Sequence, residues 1–141
     1  MKKLIFLILS YCCVHFALCQ GTMLQMTLKT IVPISSQSED MEIPNLNCVV
    51  AHNVYLNGEL LISENTPVDT RLDIYKARPR NRVGSVTIYF IGVNTNNGGR
   101  VFFNESYTKA GKLRKQRWMK GKNAYVPIGT MINVTGTYQK K

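Results

Sequence analysis

The chain is poor in the residues that most often carry chemistry. It has four cysteines, but Cys12, Cys13 and Cys19 fall in the first nineteen residues, which leaves Cys48 alone. A lone cysteine cannot close an internal disulfide. Cys48 lies in the apolar run Asn47-Cys48-Val49-Val50, where a free thiol behaves as a small buried hydrophobe. An intermolecular bridge is the alternative. Histidine is as scarce: His15 belongs to the same leading stretch, and His52 is the other. One histidine and one distant cysteine do not assemble a metal site. His52 reads as a partly exposed strand residue.

The familiar catalytic signatures are missing too. There is no Cys-x-x-Cys, His-Glu-x-x-His, Gly-x-Ser-x-Gly or phosphate loop. Asp69 and Asp73 share a strand face, but four residues of strand separate their Cα atoms by roughly 13 Å. That exceeds the roughly 5 to 9.5 Å between paired glycosidase carboxylates. The reading is a non-catalytic protein with no metal and no cofactor. The sequons Asn104-Glu105-Ser106 and Asn133-Val134-Thr135 are matches of a kind common by chance. Beyond the leader, no segment has a 3.6-residue apolar period, so little helix is expected.

The first residues have a different character. Lys2 and Lys3 precede an apolar stretch from Leu4 to Leu18, interrupted by Ser10 and His15. This is long enough for a signal peptide and short of the roughly 20 residues that span a bilayer. Ala17 and Cys19 are small residues at the −3 and −1 positions of a cleavage before Gln20. The expected organisation is a signal peptide over residues 1–19 and a single β-domain over 20–141. Acylation at Cys19 is the rival reading; a large Leu18 stands where a lipobox has a small residue. Export without disulfides fits a bacterial periplasm or cell surface better than a small eukaryotic secreted module.

What is plentiful is positive charge and alternation. The whole chain has 18 Lys and Arg against 8 Asp and Glu. Without Lys2 and Lys3 the balance is 16 against 8, a net charge of +8. Such a surplus raises affinity for anions without choosing among them.

The alternating runs predict strands over 21–34, 47–56, 59–62, 67–75, 84–93 and 100–104, with a last one within 123–138. Asn57-Gly58 is a type I′ hairpin signal. Pro67 lacks an N–H and belongs at a strand's start or at an exposed edge. The run Val86-Thr87-Ile88-Tyr89-Phe90-Ile91, apolar on both faces toward its end, is placed centrally. Ile132, Val134, Gly136 and Tyr138 share one face. Together these give an all-β fold, a small antiparallel barrel or sandwich of about 6 to 8 strands.

Between the strands lie two basic segments and an acidic one. Residues 76–82 form a basic loop around Pro79. Residues 109–122 hold Lys109, Lys112, Arg114, Lys115, Arg117, Lys120 and Lys122 with no acid among them, bracketed by Gly111 and Gly121. A run like this repels itself and reads as a mobile loop. Trp118 inside it is either a plug for one barrel end or a stacking surface. The polar loop 35–42 is solvated or folds back on the basic tract.

The spacing of the turns resembles that of small bacterial envelope β-domains. The matching residues are Asn65-Thr66-Pro67-Val68, Gly84, Asn97-Gly98 and the run Lys120-Gly121-Lys122-Asn123-Ala124-Tyr125-Val126-Pro127-Ile128-Gly129-Thr130. More distantly the chain looks like the C-terminal β-barrel of the outer-membrane-ring scaffold protein of type IV secretion, and its leader looks like those of Bacteroidota. The likeness covers about half the chain and rests on turns, so it implies a fold and a compartment. The basic character of 109–122 departs from it, since that loop is often apolar and Gly-rich in such domains.

The functional expectation is an exported interaction or structural module of a periplasmic or cell-surface assembly. Lys109, Lys112, Arg114, Lys115, Arg117, Trp118, Lys120 and Lys122 would meet an acidic protein surface. The alternative is a binder of an envelope polyanion: lipopolysaccharide, an acidic glycan or DNA.

Overall fold

The computed structural model describes residues 21–38 and 43–141. Eleven strands account for most of it: β1 (Thr22–Thr30), β2 (Ile34–Ser35), β3 (Cys48–Val50), β4 (Val54–Leu56), β5 (Glu59–Ile62), β6 (Pro67–Tyr75), β7 (Ser85–Asn94), β8 (Arg100–Phe103), β9 (Ser106–Ala110), β10 (Tyr125–Val126) and β11 (Met131–Gln139). The one helical element among the described residues is a single 3-10 turn, Ser36–Ser38.

Six of these strands close a barrel. β1 pairs with β3, β3 with β6, β6 with β7, β7 with β8, β8 with β11, and β11 returns to β1, every pair antiparallel. The order around the barrel is therefore the order in the chain, an up-and-down meander. Each of the six has a hydrogen-bonded neighbour on both sides, with β3 meeting β1 over Leu28–Thr30 and β8 meeting β11 over Gly136–Gln139, which limits the template for edge-to-edge association. The long strand β7 has three partners, as its apolar content suggested: β6 on one side, and β8 and then β9 along the other.

The interior follows from alternation. Leu28, Val50, Val68, Val86, Ile88, Phe90, Val101, Val134 and Tyr138 point inward and are buried together. Each fully buried Val, Leu or Ile contributes roughly 1.5–3 kcal/mol over an exposed one. The inward set of β11 is Ile132, Val134, Gly136 and Tyr138, the four residues expected to share a face. Cys48 is inside, with no exposed surface, and its thiol donates to Asn47 Oδ1 at 3.3 Å. Asn57 and Gly58 both have positive φ, 52° and 81°, and join β4 to β5 in the anticipated hairpin.

Some elements differ from the sequence reading. The first strand stops at Thr30, because the chain bends at Ile31-Val32 ahead of Pro33. The segment 47–56 is two strands, with a bend at Ala51-His52-Asn53 that takes His52 out to solvent. β7 is not buried on both faces: Ile91 is exposed and Tyr89 half-buried on the outer wall. Pro67 opens β6 as anticipated, but it is paired with Val49 of β3 and not left at an exposed edge. Finally, Ser106–Ala110 is a strand that alternation did not reveal.

The two poles of the barrel differ. β6 ends and β7 begins at one pole, where Tyr75 opposes Ser85 and Ala110 of β9 also meets Ser85. β1 begins and β11 ends at the other, where Thr22 opposes Tyr138.

Candidate functional site

The first pole is closed by two excursions far apart in the sequence. The shorter joins β6 to β7. Its tip is a tight turn in which Arg78 and Arg82 bridge, with the Arg78 N–H donating to the Arg82 carbonyl at 2.9 Å. Arg80 and Asn81 between them both have positive φ, 60° and 56°. Asparagine tolerates this conformation, while arginine adopts it at a cost of about 1 kcal/mol or more. The turn therefore holds Arg80 against a local preference. Arg78, Arg80 and Arg82 are exposed and Lys76 is half-buried.

The longer excursion runs from β9 to β10 and is the basic tract. It is a loop, but a pinned one rather than a free one. The Asn81 side chain bonds the Arg114 backbone in both directions: Nδ2 donates to the carbonyl at 2.8 Å and Oδ1 accepts from the N–H at 2.7 Å. The Asn81 N–H donates to the Met119 carbonyl at 2.7 Å and the Gly121 N–H to the Arg78 carbonyl at 3.2 Å. Nearer the barrel, the Gly84 N–H donates to the Lys122 carbonyl and the Gly111 N–H to the Gly84 carbonyl. The tract also closes on itself, through the Lys122 N–H to the Lys112 carbonyl and Arg114 Nε to the Lys120 carbonyl.

This explains how a run of cations keeps a fixed shape. Close like charges in water cost on the order of 1 kcal/mol per pair, and salt screens them beyond about 10 Å. Each intramolecular hydrogen bond contributes about as much. The six bonds between the excursions are made almost entirely by backbone and by Asn81. The main chain is held, while the exposed side chains of Lys112, Lys115 and Arg117 reach into water.

Gly121 permits a close approach of the two excursions. A Cβ there would collide with the Arg82 carbonyl and lie 2.8 Å from the Val83 nitrogen. The base of the cap is fixed by Asn123, whose Oδ1 accepts from the Ser36 hydroxyl at 3.0 Å and the Ala77 N–H at 2.9 Å. The Ser36 hydroxyl in turn accepts from the Ala124 N–H at 2.9 Å. β10 pairs with β2 beside this cluster, through Tyr125 with Ser35 and Val126 with Ile34. The acidic residues Glu39, Asp40 and Glu42 of the loop expected to be solvated or to fold back lie outside the described residues.

The structure thus joins Lys112, Arg114, Lys115, Arg117, Lys120 and Lys122 with Lys76, Arg78, Arg80 and Arg82, and puts Lys109 alongside on β9. Lys109 is therefore a strand residue, exposed on the outer edge of the wall, and not a loop residue. Neither 76–84 nor 109–122 contains a carboxylate. Eleven of the 16 cations that follow the leader are gathered here. The four of the shorter loop were visible as a basic run, but nothing in the sequence shows that Asn81 carries them to Arg114.

Trp118 does not plug the barrel. It is 73 % exposed, and Leu113 in the same tract is 70 % exposed. The pole is sealed instead by buried Ile34, Ala124 and Val126.

A second exposed feature lies on the wall of β6, β7 and β8. The Arg71 guanidinium sits 4.5 Å above the Tyr89 ring, and the Arg100 guanidinium 5.6 Å from the Phe102 ring centre. Arg100 also pairs with Asp69 at 2.6 Å, and Arg71 stands 3.9 Å from Asp73. Opposite charges are balanced there, so the wall has no preference for anions. Asp69 and Asp73 are thereby held by arginines on the outer face.

Among the described residues no cluster of His, Cys, Asp or Glu is suited to a metal ion, and no helix is long and apolar enough to cross a membrane. No family model, curated protein or solved structure matches this chain.

Proposed function

We propose that this protein is a non-catalytic binding module of the bacterial envelope, exported by its leader, that engages an acidic partner through the cationic pole of its barrel. The observation that carries this is the joining of two basic loops, neither of which contains a carboxylate, by backbone bonds and by the Asn81 side chain. A fold that merely tolerated surplus lysine would scatter it. Here the charge is concentrated where its self-repulsion is greatest, Arg80 is held at positive φ, and the far wall is neutralised by ion pairs. Strained, charged positions that persist against their local cost mark working surfaces. The export-type leader and the turn pattern shared with envelope β-domains support the compartment.

Crosslinking in the native cell, with a photoreactive residue at Gln116, tests the reading. The wild type is expected to yield defined adducts, and a variant with Lys112, Arg114, Lys115 and Arg117 changed to Ser is expected to lose them. Recovery of the wild type with neither protein nor lipid adducts, or adducts that survive the four changes, would refute it.

A further inference from the structure

The cationic cap also carries apolar side chains that its charge does not explain. Leu113 and Trp118 stand among its cations and are the most exposed large apolar residues of the described chain. Tyr75 at the end of β6 and Tyr125 on β10, beside the same cap, are 60 % and 54 % exposed. Large apolar side chains exposed on and beside one charged surface make it a candidate interaction site.

We propose that the cap docks peripherally on an anionic phospholipid surface, the lysines and arginines meeting headgroups while Leu113 and Trp118 enter the interfacial layer. This rests on the binding-module reading above and names the acidic partner. Charge complementarity supplies the attraction, at about 1 kcal/mol per Lys or Arg close to such a surface. The apolar side chains select the lipid over other polyanions. A leucine gains nothing from the hydrated backbone of DNA or an acidic glycan, whereas the boundary between headgroups and acyl chains takes it up together with a tryptophan of the same loop. Long basic side chains suit the same boundary, since their stems lie in the apolar layer and their ends in the headgroups. The distribution of charge fits as well. The cations are spread over two loops and the end of β9. A fluid bilayer gathers anionic lipids beneath such a pattern without needing a matching rigid shape.

Trp118 is the only tryptophan of the chain and therefore reports directly. Residues 20–141 would be sedimented with vesicles of phosphatidylcholine alone or mixed with phosphatidylglycerol, at low and moderate salt, while tryptophan emission is followed. The expected result is binding to the mixed vesicles at least about tenfold stronger than to the neutral ones. Binding should weaken with salt, and the emission should shift to the blue. Leu113→Asn should weaken binding about fivefold while the salt dependence persists. Salt-sensitive binding with unmoved emission and no effect of Leu113→Asn would overturn the docking proposal and leave an electrostatic cap. Retention by heparin or DNA but not by mixed vesicles would likewise overturn it, while the binding-module reading survives. No retention by any of these, together with crosslinks in the cell that ignore the four serine changes, would overturn both.

Discussion

The side chain of Asn81 and the backbone of Arg114 form a two-bond pair, 2.8 and 2.7 Å long, across 33 residues of sequence. The amide imitates a strand neighbour: it donates to a carbonyl and accepts from an N–H of the same residue. The cap's shape depends on this pair, because it joins the turn between Arg78 and Arg82 to the longer loop. Asn81→Ala removes both bonds and places alanine at φ 56°. The expected loss is about 1–3 kcal/mol in urea unfolding. Asn81→Gly removes the same bonds but relieves the backbone, so it should lose less. Equal losses would show that the backbone conformation contributes little, and no loss in either variant would show that the bonds do.

Replacing Lys112, Arg114, Lys115 and Arg117 by Ser should change stability by no more than about 1 kcal/mol. All four side chains are exposed, and the backbone bonds of Arg114 do not need its guanidinium. The one side-chain bond lost is from Arg114 Nε to the Lys120 carbonyl, at the surface. A drop well beyond this in chemical denaturation would mean that the side chains, and not the main chain, hold the tract.

Gly121→Ala should be far more damaging than its small change in volume suggests. The added methyl meets main-chain atoms of Arg82 and Val83, which cannot turn aside as a side chain would. A cost of about 1–3 kcal/mol is expected for such overpacking. Amide exchange should rise in residues 78–84 and 111–122 and stay unchanged in β1 and β11. Exchange rising evenly through the barrel would contradict a local cap.

Cys48 gives a prediction in pH. Burial pushes its thiol up from 9.0 to about 12. A group whose folded pKa is raised stabilises fully below the unfolded value and loses that contribution as pH rises through the folded one. Between pH 9 and 12, therefore, Cys48 should steepen the loss of stability by roughly 1.4 kcal/mol per pH unit. Cys48→Ala should unfold with a shallower alkaline slope than wild type, and the wild-type thiol should resist alkylation at pH 8 until denaturant is added. Rapid alkylation of the native protein would contradict the burial.

The sequence revealed most where one local rule decided the outcome. Asn57-Gly58 needs positive φ, and the alternation of Val68, Thr70, Leu72 and Ile74 needs one buried face; both are properties of a few adjacent residues. It failed where the stabilising partner is remote. Ser106–Ala110 has no apolar period, since its residues are mostly exposed, and it is a strand because Tyr107 and its neighbours pair along β7. Of the two readings of Trp118, the plug rests on the rule that large apolar side chains are usually buried, which is blind to the sealing of the pole by Ile34 and Val126. The basic tract was read as free because its charges are local while its anchors, Asn81 and Gly84, are not.

The strands that begin and end the barrel set the geometry of any attachment. Thr22 and Tyr138 lie side by side at the pole opposite the cap. Strands of this length, tilted as barrel strands are, separate the poles by roughly 25 Å. A tether joined ahead of β1, whether a lipid on Cys19 or a purification tag, and one joined after β11 both leave from that pole. An anchored molecule would therefore act as a spacer, holding its charged face a barrel's height above whatever it is anchored to and turned toward the surface opposite.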